Sequence, residues 1–288
     1  VSASAAAALF NSSIDIGGLV TGGESQLFLM SPCRNQHQKP RARGENGGKE
    51  LTPASISIKA RRMTKPTIVF DLDGTLAHTA PDILGTLDHI LTREGLPALP
   101  HTEAIGLAGA GARALLKRAF AASNTPLPDA RLDLLFADYL NHYETRIADH
   151  SHLFPGAELA IKNLLMDGYG LAVCTNKTEH LAILLLQKLG VAGHFKAICG
   201  RDSFAYQKPD ARHLTSTIEK AGGVTRHAIM IGDTRTDIDT ARNAKLPVIG
   251  VRFGYSDTPI DTLAPDLLIN HFDELHAAVK RLAPTAAH

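Results

Sequence analysis

Short apolar runs alternate with segments of helical periodicity along the chain from Thr67 onward. The runs are rich in β-branched residues, as buried parallel strands are, and they predict strands over 67–73, 169–175, 196–200, 227–233, 247–251 and 267–269. Apolar residues at helical spacing predict helices over 157–167, 179–189, 211–221, 236–244 and 273–282. Strands that alternate with helices in this order predict an α/β fold built on a doubly wound parallel sheet.

The chain between the first two predicted strands has a different pattern. Residues 78–152 show no strand periodicity, and their apolar positions predict helices over 81–94, 112–122 and 130–148. An all-helical insertion therefore interrupts the alternation. We expect a core formed by 63–77 and 153–288, with 78–152 as a helical cap domain.

The first 62 residues show neither pattern. They are rich in Ser, Ala, Gly and Arg, and 32–53 is polar and interrupted by Gly and Pro. Such a segment buries too little apolar area to offset the entropy lost on ordering, so we expect 1–62 to be disordered. Three origins are open: sequence upstream of a natural start at Met63, an organellar transit peptide, or a functional tail.

The composition limits the cellular compartments and the binding partners that we expect for this protein. A net charge of +1, 5% aromatic residues and the absence of Trp argue against nucleic acid as a partner. We expect no membrane partner either, since no run of about 18 apolar residues marks a span. The three cysteines form no CxxC pair. We therefore expect a reduced, cytoplasmic protein, or an organellar one if 1–62 is a transit peptide. The sequence does not determine the oligomeric state.

Polar side chains follow three of the predicted strands where each one ends. In chain order, the pairs at these ends are Asp71 and Asp73, Thr175 and Asn176, and Asp233 and Asp237. Lys208 lies between the second and third pairs. Because the carboxyl ends of parallel strands meet at one edge of a sheet, we expect these side chains to converge there.

The residue types at this edge predict phosphoryl chemistry. Two close carboxylates, Asp71 and Asp233, would repel each other unless one took up a proton or a hard cation such as Mg²⁺ lay between them. The carboxylate of Asp73 can point to the same side as that of Asp71, two residues earlier. One of these two carboxylates can attack phosphorus, while the other protonates the leaving oxygen and later activates water.

The remaining candidates would support the transferring group. Lys208 and the Thr175 hydroxyl would neutralise and hydrogen-bond the phosphoryl oxygens. Gly74 allows a tight turn beneath the phosphate, and Asn176 is a further candidate for substrate binding. Asp237 lies one helical turn after Asp233 and could hold metal-bound water. Taken singly, each motif also has an ordinary structural explanation, such as helix capping by Thr175 and Asn176; their joint order favours the functional one.

Four motifs, FDLDGTL, VCTNK, QKPD and IGDTRTDI, occur in this order. They resemble the four motifs of the haloacid-dehalogenase-like superfamily of phosphohydrolases, over about residues 66–283. The resemblance implies that Asp71 is the nucleophile and Asp73 the general acid/base. It also implies that Mg²⁺ is bound by Asp71, the backbone carbonyl of Asp73, and Asp233. Dehalogenase members lack the second acid, so Asp73 favours phosphoryl transfer.

Within the superfamily, the chain resembles the phosphoglycolate phosphatases. The segments that carry this resemblance are DGTLAHTAPDI, GLAGAGARALLKRA, FPG and GVRFGY. The resemblance implies hydrolysis of the small phosphate ester 2-phosphoglycolate through an aspartyl-phosphate intermediate. The helical insertion would correspond to the cap of that family, which closes over the site.

Two details of the insertion bear on the substrate. Arg113 and Lys117 lie beside the Gly-rich loop, and we expect them to meet a substrate carboxylate. His78 stands where many relatives have an acid, and we interpret it as a hinge residue.

Other functions share the same core motifs. A pyrophosphatase, a sugar-phosphate phosphatase or a β-phosphoglucomutase-like enzyme would differ in the cap rather than in the core. A non-catalytic regulatory module would be expected to carry degraded motifs, whereas the four residues Asp71, Asp73, Lys208 and Asp233 are all present.

Overall fold

The structure, a computed structural model, describes residues 65–109 and 111–283. The predictions for residues 1–62 and for a start at Met63 lie outside the described residues. In chain order the elements are β1 (Thr67–Phe70), β2 (Ala77–His78), α1 (Ala80–Arg93), α2 (His101–Ala108), α3 (Ala112–Ala122), α4 (Asp129–Thr145), β3 (His152–Leu153), α5 (Ala157–Met166), β4 (Gly170–Cys174), α6 (Glu179–Lys188), β5 (Ala197–Cys199), α7 (Ala211–Lys220), β6 (Ala228–Gly232), α8 (Arg235–Asn243), β7 (Val248–Val251), β8 (Leu267–Ile269) and α9 (Leu275–Leu282).

Six of these strands form one parallel sheet. Their order is β5-β4-β1-β6-β7-β8, so that β1 lies between β4 and β6. Thr67 pairs with Gly170 on one side and with Ala228 on the other. The predicted α/β fold class with a doubly wound parallel sheet is confirmed. β1 ends at Phe70, earlier than predicted, because the next residues form a turn in which Leu76 N–H donates to the Leu72 carbonyl at 3.0 Å.

Successive residues of β1 point to opposite faces of the sheet. Ile68 and Phe70 belong to one core cluster, and Val69 belongs to the other. All three side chains are fully buried. A parallel sheet covered on both faces requires continuous apolar strands, which is why these strands lack hydrophobic–polar alternation.

The four helices α1–α4 lie between β2 and β3 in the chain and contact one another. The helices predicted from the sequence do not include α2, a helix of eight residues with Gly106 near its centre. So short a helix shows too few turns for a clear period.

The strands β2 and β3 lie where the chain leaves the sheet for helices α1–α4 and where it returns from them. The two strands pair antiparallel. Ala77 faces Leu153, and His78 faces His152. Two-residue strands are too short to show alternation, so the expectation of no strand in 78–152 missed His78 and His152. Whether 78–152 forms a separate cap domain stays a prediction.

The buried carboxylate of Asp82 links these two connecting segments by hydrogen bonds. Asp82 in α1 accepts hydrogen bonds from the N–H of His150 at 3.1 Å and from the N–H and hydroxyl of Ser151 at 2.7 and 2.6 Å. The start of the inserted helices is thereby bonded to the segment by which the chain returns to the sheet. Among the described residues, the structure has no helix long and apolar enough to cross a membrane.

Candidate active site

The carboxyl ends of three adjacent strands bring predicted residues together. Asp71 directly follows β1, Thr175 follows β4 and Asp233 follows β6. All three side chains are buried. The Asp71 N–H donates to the Ile231 carbonyl at 2.9 Å, which ties the first strand end to the third.

Lys208 supplies positive charge at this edge of the sheet. Its Nζ lies 2.8 Å from Oδ1 of Asp71 and 2.6 Å from Oδ1 of Asp237. Asn176 binds the main chain of Lys208, accepting from its N–H at 3.1 Å and donating to its carbonyl at 3.2 Å. The ammonium is therefore held in place by the protein itself, as a preorganised electrostatic site requires. That Asn176 also contacts substrate stays a prediction.

Asp237 lies in the first turn of α8, and both its oxygens have partners. Oδ1 contacts Lys208, and Oδ2 accepts from the N–H and hydroxyl of Thr234 at 3.0 and 2.8 Å. Thr234 and Asp237 form a capping box at the start of the helix. Asp237 therefore positions Lys208, and its predicted role towards a metal-bound water stays a prediction.

Asp233 is held from two directions. Its Oδ1 accepts from the Thr75 hydroxyl at 2.8 Å, and its Oδ2 accepts from the Tyr255 N–H at 2.7 Å. Gly74 has a φ of +83°, and a Cβ there would collide with Oδ2 of Asp233. Glycine is required at this position both by its backbone conformation and by its contact with Asp233. Its predicted contact with the phosphate stays a prediction.

The buried charges at this edge are out of balance. Burial, and next the charge of Asp237, raises the pKa of Asp71 to about 7 despite the nearby ammonium. Burial, followed by Asp237 and Asp71, raises the pKa of Asp233 well above its usual value. Burial alone would lower the pKa of Lys208, but Asp237 and Asp71 outweigh it and the pKa is raised. One ammonium faces three carboxylates, so the site holds excess negative charge.

This excess fits a divalent cation. Ligand oxygens of Asp71, Asp233 and Asp237 lie within 4.8 Å of one another, the one such cluster found in residues 65–109 and 111–283. Mg²⁺ prefers carboxylate oxygens, with water and phosphate completing its shell. Asp71 and Asp233 directly follow the adjacent strands β1 and β6, whereas Asp237 lies in the first turn of α8, so Asp71 and Asp233 are the better placed of the three to hold the ion.

Asp73 pairs with a lysine that the sequence analysis did not single out. Lys177 Nζ lies 3.0 and 3.1 Å from the two carboxylate oxygens of Asp73. The same Nζ lies 4.7 Å from the ring centre of Tyr143 in α4. Lys177 therefore connects the predicted acid/base with the inserted helices. It directly follows Thr175 and Asn176 in the VCTNK motif, and this position was the signal that could have identified it.

A small pocket lies beside Asp73, between the strand ends and the inserted helices. Its volume is about 70 Å³, and its side chains include Asp73, Ile83, Phe136, Tyr139, Leu140, Tyr143, Asn176, Lys177, Thr178, Leu181 and Arg201. A narrower cleft next to it is lined by Asp71, Asp73, Thr175, Lys177 and Lys208. We call the first the leaving-group pocket and the second the phosphoryl cleft. The two share Asp73, Asn176 and Lys177, so they adjoin.

The two cationic candidates from the insertion lie elsewhere. Arg113 forms an ion pair with Asp133 at 2.7 Å, and Lys117 lies 3.7 Å from Asp129. Neither Arg113 nor Lys117 lines the leaving-group pocket or the phosphoryl cleft. Their predicted contact with a substrate carboxylate stays a prediction, and the structure does not bring them to the other site residues.

Tyr255 is a further residue that the sequence analysis did not assign. Its N–H binds Asp233, while its hydroxyl accepts from the Ala80 N–H at 3.0 Å and lies 2.8 Å from Nδ1 of His78. Tyr255 thus joins a carboxylate of the phosphoryl site to the first turn of α1 and to β2. Only its place in the GVRFGY segment marked it in the sequence.

Comparison with known proteins agrees with this geometry. The family model described as haloacid dehalogenase-like hydrolase matches residues 68–251. The chain belongs to the haloacid dehalogenase-like hydrolase family. The predicted superfamily is thereby confirmed.

Individual relatives are similar over most of the chain. A phosphoglycolate phosphatase of Agrobacterium fabrum is 46% identical over 76% of this chain and 94% of its own length. One of Mesorhizobium japonicum is 44% identical over 78% of this chain and 100% of its own length. The crystal structure of a predicted phosphoglycolate phosphatase from Haemophilus somnus has a TM-score of 0.70 and 25% identity, over 75% of this chain and 99% of that one. This family member is an enzyme, a phosphoric monoester hydrolase, as the sequence predicts.

Proposed function

We propose that this enzyme hydrolyses 2-phosphoglycolate to glycolate and phosphate, through an aspartyl-phosphate intermediate on Asp71 and with Mg²⁺ as cofactor. Relatives with 46% and 44% identity are phosphoglycolate phosphatases, which supports the substrate. The observation that carries the proposal is the leaving-group pocket beside the phosphoryl cleft. Its volume of about 70 Å³ is small, since pockets for drug-sized ligands run from about 300 to 1,000 Å³. A two-carbon acid suits such a pocket better than a sugar ring.

The first half of the reaction transfers the phosphoryl group to the protein. A carboxylate oxygen of Asp71 attacks phosphorus, and the bond from phosphorus to the ester oxygen breaks. Asp73, ion-paired with Lys177 in the free protein, would carry a proton in the substrate complex; the ester oxygen takes this proton and leaves as the hydroxyl of glycolate. Lys208 and the Thr175 hydroxyl stabilise the charge on the phosphoryl oxygens.

The second half returns the protein to its starting state. Asp73, now a carboxylate, takes a proton from water, and the water oxygen attacks the phosphorus of the aspartyl phosphate. The bond to Asp71 breaks, phosphate is released, and Asp73 is protonated again. Mg²⁺, held by Asp71, Asp233 and the backbone carbonyl of Asp73, would lower the charge repulsion between the nucleophile and the phosphate.

A phosphate-release screen tests the substrate. The panel holds 2-phosphoglycolate, pyrophosphate, glucose 1-phosphate, glucose 6-phosphate and para-nitrophenyl phosphate, each with Mg²⁺. We expect the highest kcat/KM for 2-phosphoglycolate. A higher value for pyrophosphate or for a sugar phosphate would overturn the proposed substrate and favour the corresponding alternative.

The intermediate is tested separately. Acid quenching during turnover, followed by peptide mass spectrometry, should find one phosphoryl group on the peptide that contains Asp71. A phosphoryl group on any other residue would contradict the assignment of the nucleophile.

The cytoplasmic location stays a prediction.

A further inference from the structure

The leaving-group pocket is lined by two cationic side chains, of which one has a carboxylate partner and the other has none among the described residues. Lys177 is paired with Asp73, at 3.0 Å. Arg201 also lines the pocket, and its guanidinium forms no ion pair with any residue of 65–109 or 111–283. One positive charge at the pocket is thus not matched by a carboxylate of the described chain.

The backbone that carries Arg201 is held by neighbouring hydrogen bonds. Arg201 N–H donates to the Lys177 carbonyl at 2.9 Å. The preceding residue, Gly200, donates its N–H to the Ser203 hydroxyl at 2.8 Å, and its carbonyl lies 2.9 Å from Nε2 of His213. The guanidinium therefore extends from a well-anchored turn, directly after β5, at the same sheet edge as the catalytic strand ends.

Two acids beside this turn, Asp202 within it and Glu179 at the start of α6, are engaged elsewhere. Asp202 accepts from the N–H of Glu179 at 2.7 Å. Glu179 itself accepts from the hydroxyl of Ser203 and from Lys220. Neither carboxylate bonds to Arg201, although Asp202 is its immediate neighbour in the chain. The turn thus leaves the guanidinium available to an anion in the pocket.

We propose that Arg201 is the specificity residue that binds the carboxylate of the leaving group. This inference rests on the proposed function, since it requires a substrate that carries an acid beside its phosphate ester. The phosphoryl cleft would hold the phosphate against Lys208, and the two-carbon leaving group would extend past Asp73 towards Arg201. A guanidinium can bind both oxygens of a carboxylate with two parallel N–H···O bonds. Arg201 thereby takes the role that the sequence analysis gave to Arg113 and Lys117.

A pair of substrates of equal length isolates this contact. 2-Phosphoglycolate and 2-hydroxyethyl phosphate differ in that a carboxylate of the first is a neutral CH₂OH group in the second. In the Arg201→Gln variant, we expect kcat/KM for 2-phosphoglycolate to fall by roughly 10- to 100-fold, the range of a hydrogen-bonded charge pair. We expect kcat/KM for 2-hydroxyethyl phosphate to stay within about twofold, so loss of the fold cannot mimic the result.

Further variants complete the test. Arg201→Lys should recover part of the preference because it restores the charge, and Arg118→Gln, at an exposed arginine of α3, should leave the preference unchanged. A preference for the acid that survives Arg201→Gln, or that falls more in Arg113→Gln, would overturn the inference alone. Equal use of both substrates by the unaltered enzyme would overturn the proposed substrate, and this inference with it.

Discussion

The phosphoryl cleft and the leaving-group pocket differ in how their charges are matched. In the cleft, the Lys208 ammonium contacts two carboxylates, and the side chain is only 2% exposed. In the pocket, Lys177 is paired with Asp73, but Arg201 has no carboxylate partner in the described part of the chain. Under the proposed function, the cleft would serve the step shared by every phosphate ester, and the pocket would keep a charge for the part of the substrate that varies.

The largest effect should come from Asp71, the proposed nucleophile in the cleft. Asp71→Asn keeps the shape of the side chain but removes the negative oxygen that attacks phosphorus. We expect kcat for any phosphate ester to fall by at least about 10⁴-fold, measured as phosphate release. Activity of the variant within tenfold of the unaltered protein would show that Asp71 is not the nucleophile. Absence of turnover on all esters by the unaltered protein would instead favour a non-catalytic module.

A smaller loss is expected where the cleft meets the pocket. Lys177→Gln removes the ion pair with Asp73 and the contact with the Tyr143 ring. Because general acid–base catalysis contributes about 10²- to 10⁴-fold and the acid itself remains, we expect kcat to fall by about 100-fold. Lys188→Gln, at an exposed lysine in the last turn of α6, is the matched control. Equal kcat values for the two variants would show that Lys177 does not position Asp73.

The hydrogen bonds between the two segments that connect the sheet with the inserted helices should affect the stability of the protein rather than its catalysis. Asp82→Asn removes the charge that accepts hydrogen bonds from His150 and Ser151. We expect the free energy of unfolding in urea to fall by about 1–3 kcal/mol. The comparison is Asp133→Asn, whose ion pair with Arg113 is exposed and should contribute less than about 1 kcal/mol. A larger loss for Asp133→Asn would contradict this ranking.

The smallest effect expected is the pH dependence of stability that arises from Asp71, one of the carboxylates proposed to bind Mg²⁺. Burial and the charge of Asp237 raise the pKa of Asp71 to about 7 in the folded protein, from 3.8. The folded state therefore binds this proton more tightly than the unfolded state, and the metal-free protein loses stability as pH rises from about 4 to 7. Mg²⁺ requires the deprotonated carboxylates.

Added Mg²⁺ should then raise Tm by a few degrees at pH 8 and by less at pH 5. Thermal unfolding with and without Mg²⁺ at both pH values measures this difference. In Asp233→Asn the dependence on Mg²⁺ should disappear. A Tm increase that is larger at pH 5 would contradict the assignment of these carboxylates to the metal.

The strands of the parallel sheet could be predicted from the sequence, whereas the shortest elements could not. Each apolar run from 67–73 to 267–269 became a strand, with ends that moved by up to three residues. The first strand ends three residues early because a turn follows it, in which the Leu76 N–H donates to the Leu72 carbonyl. The short helix α2 and the paired strands β2 and β3 were missed, since they are too short to show a period.

The sequence by itself determined the family of the protein and which polar residues meet at one edge of the sheet. Apolar runs that alternate with helices predict a parallel sheet, and a parallel sheet brings the residues that follow its strands, here Asp71, Thr175 and Asp233, to one edge. Only the tertiary structure decided which charges meet in the pocket. Lys177 and Asp73 are 104 positions apart, and Arg201 reaches the same pocket from a third strand end. Such contacts depend on how the inserted helices pack against the sheet, and packing between distant segments leaves no period in the sequence.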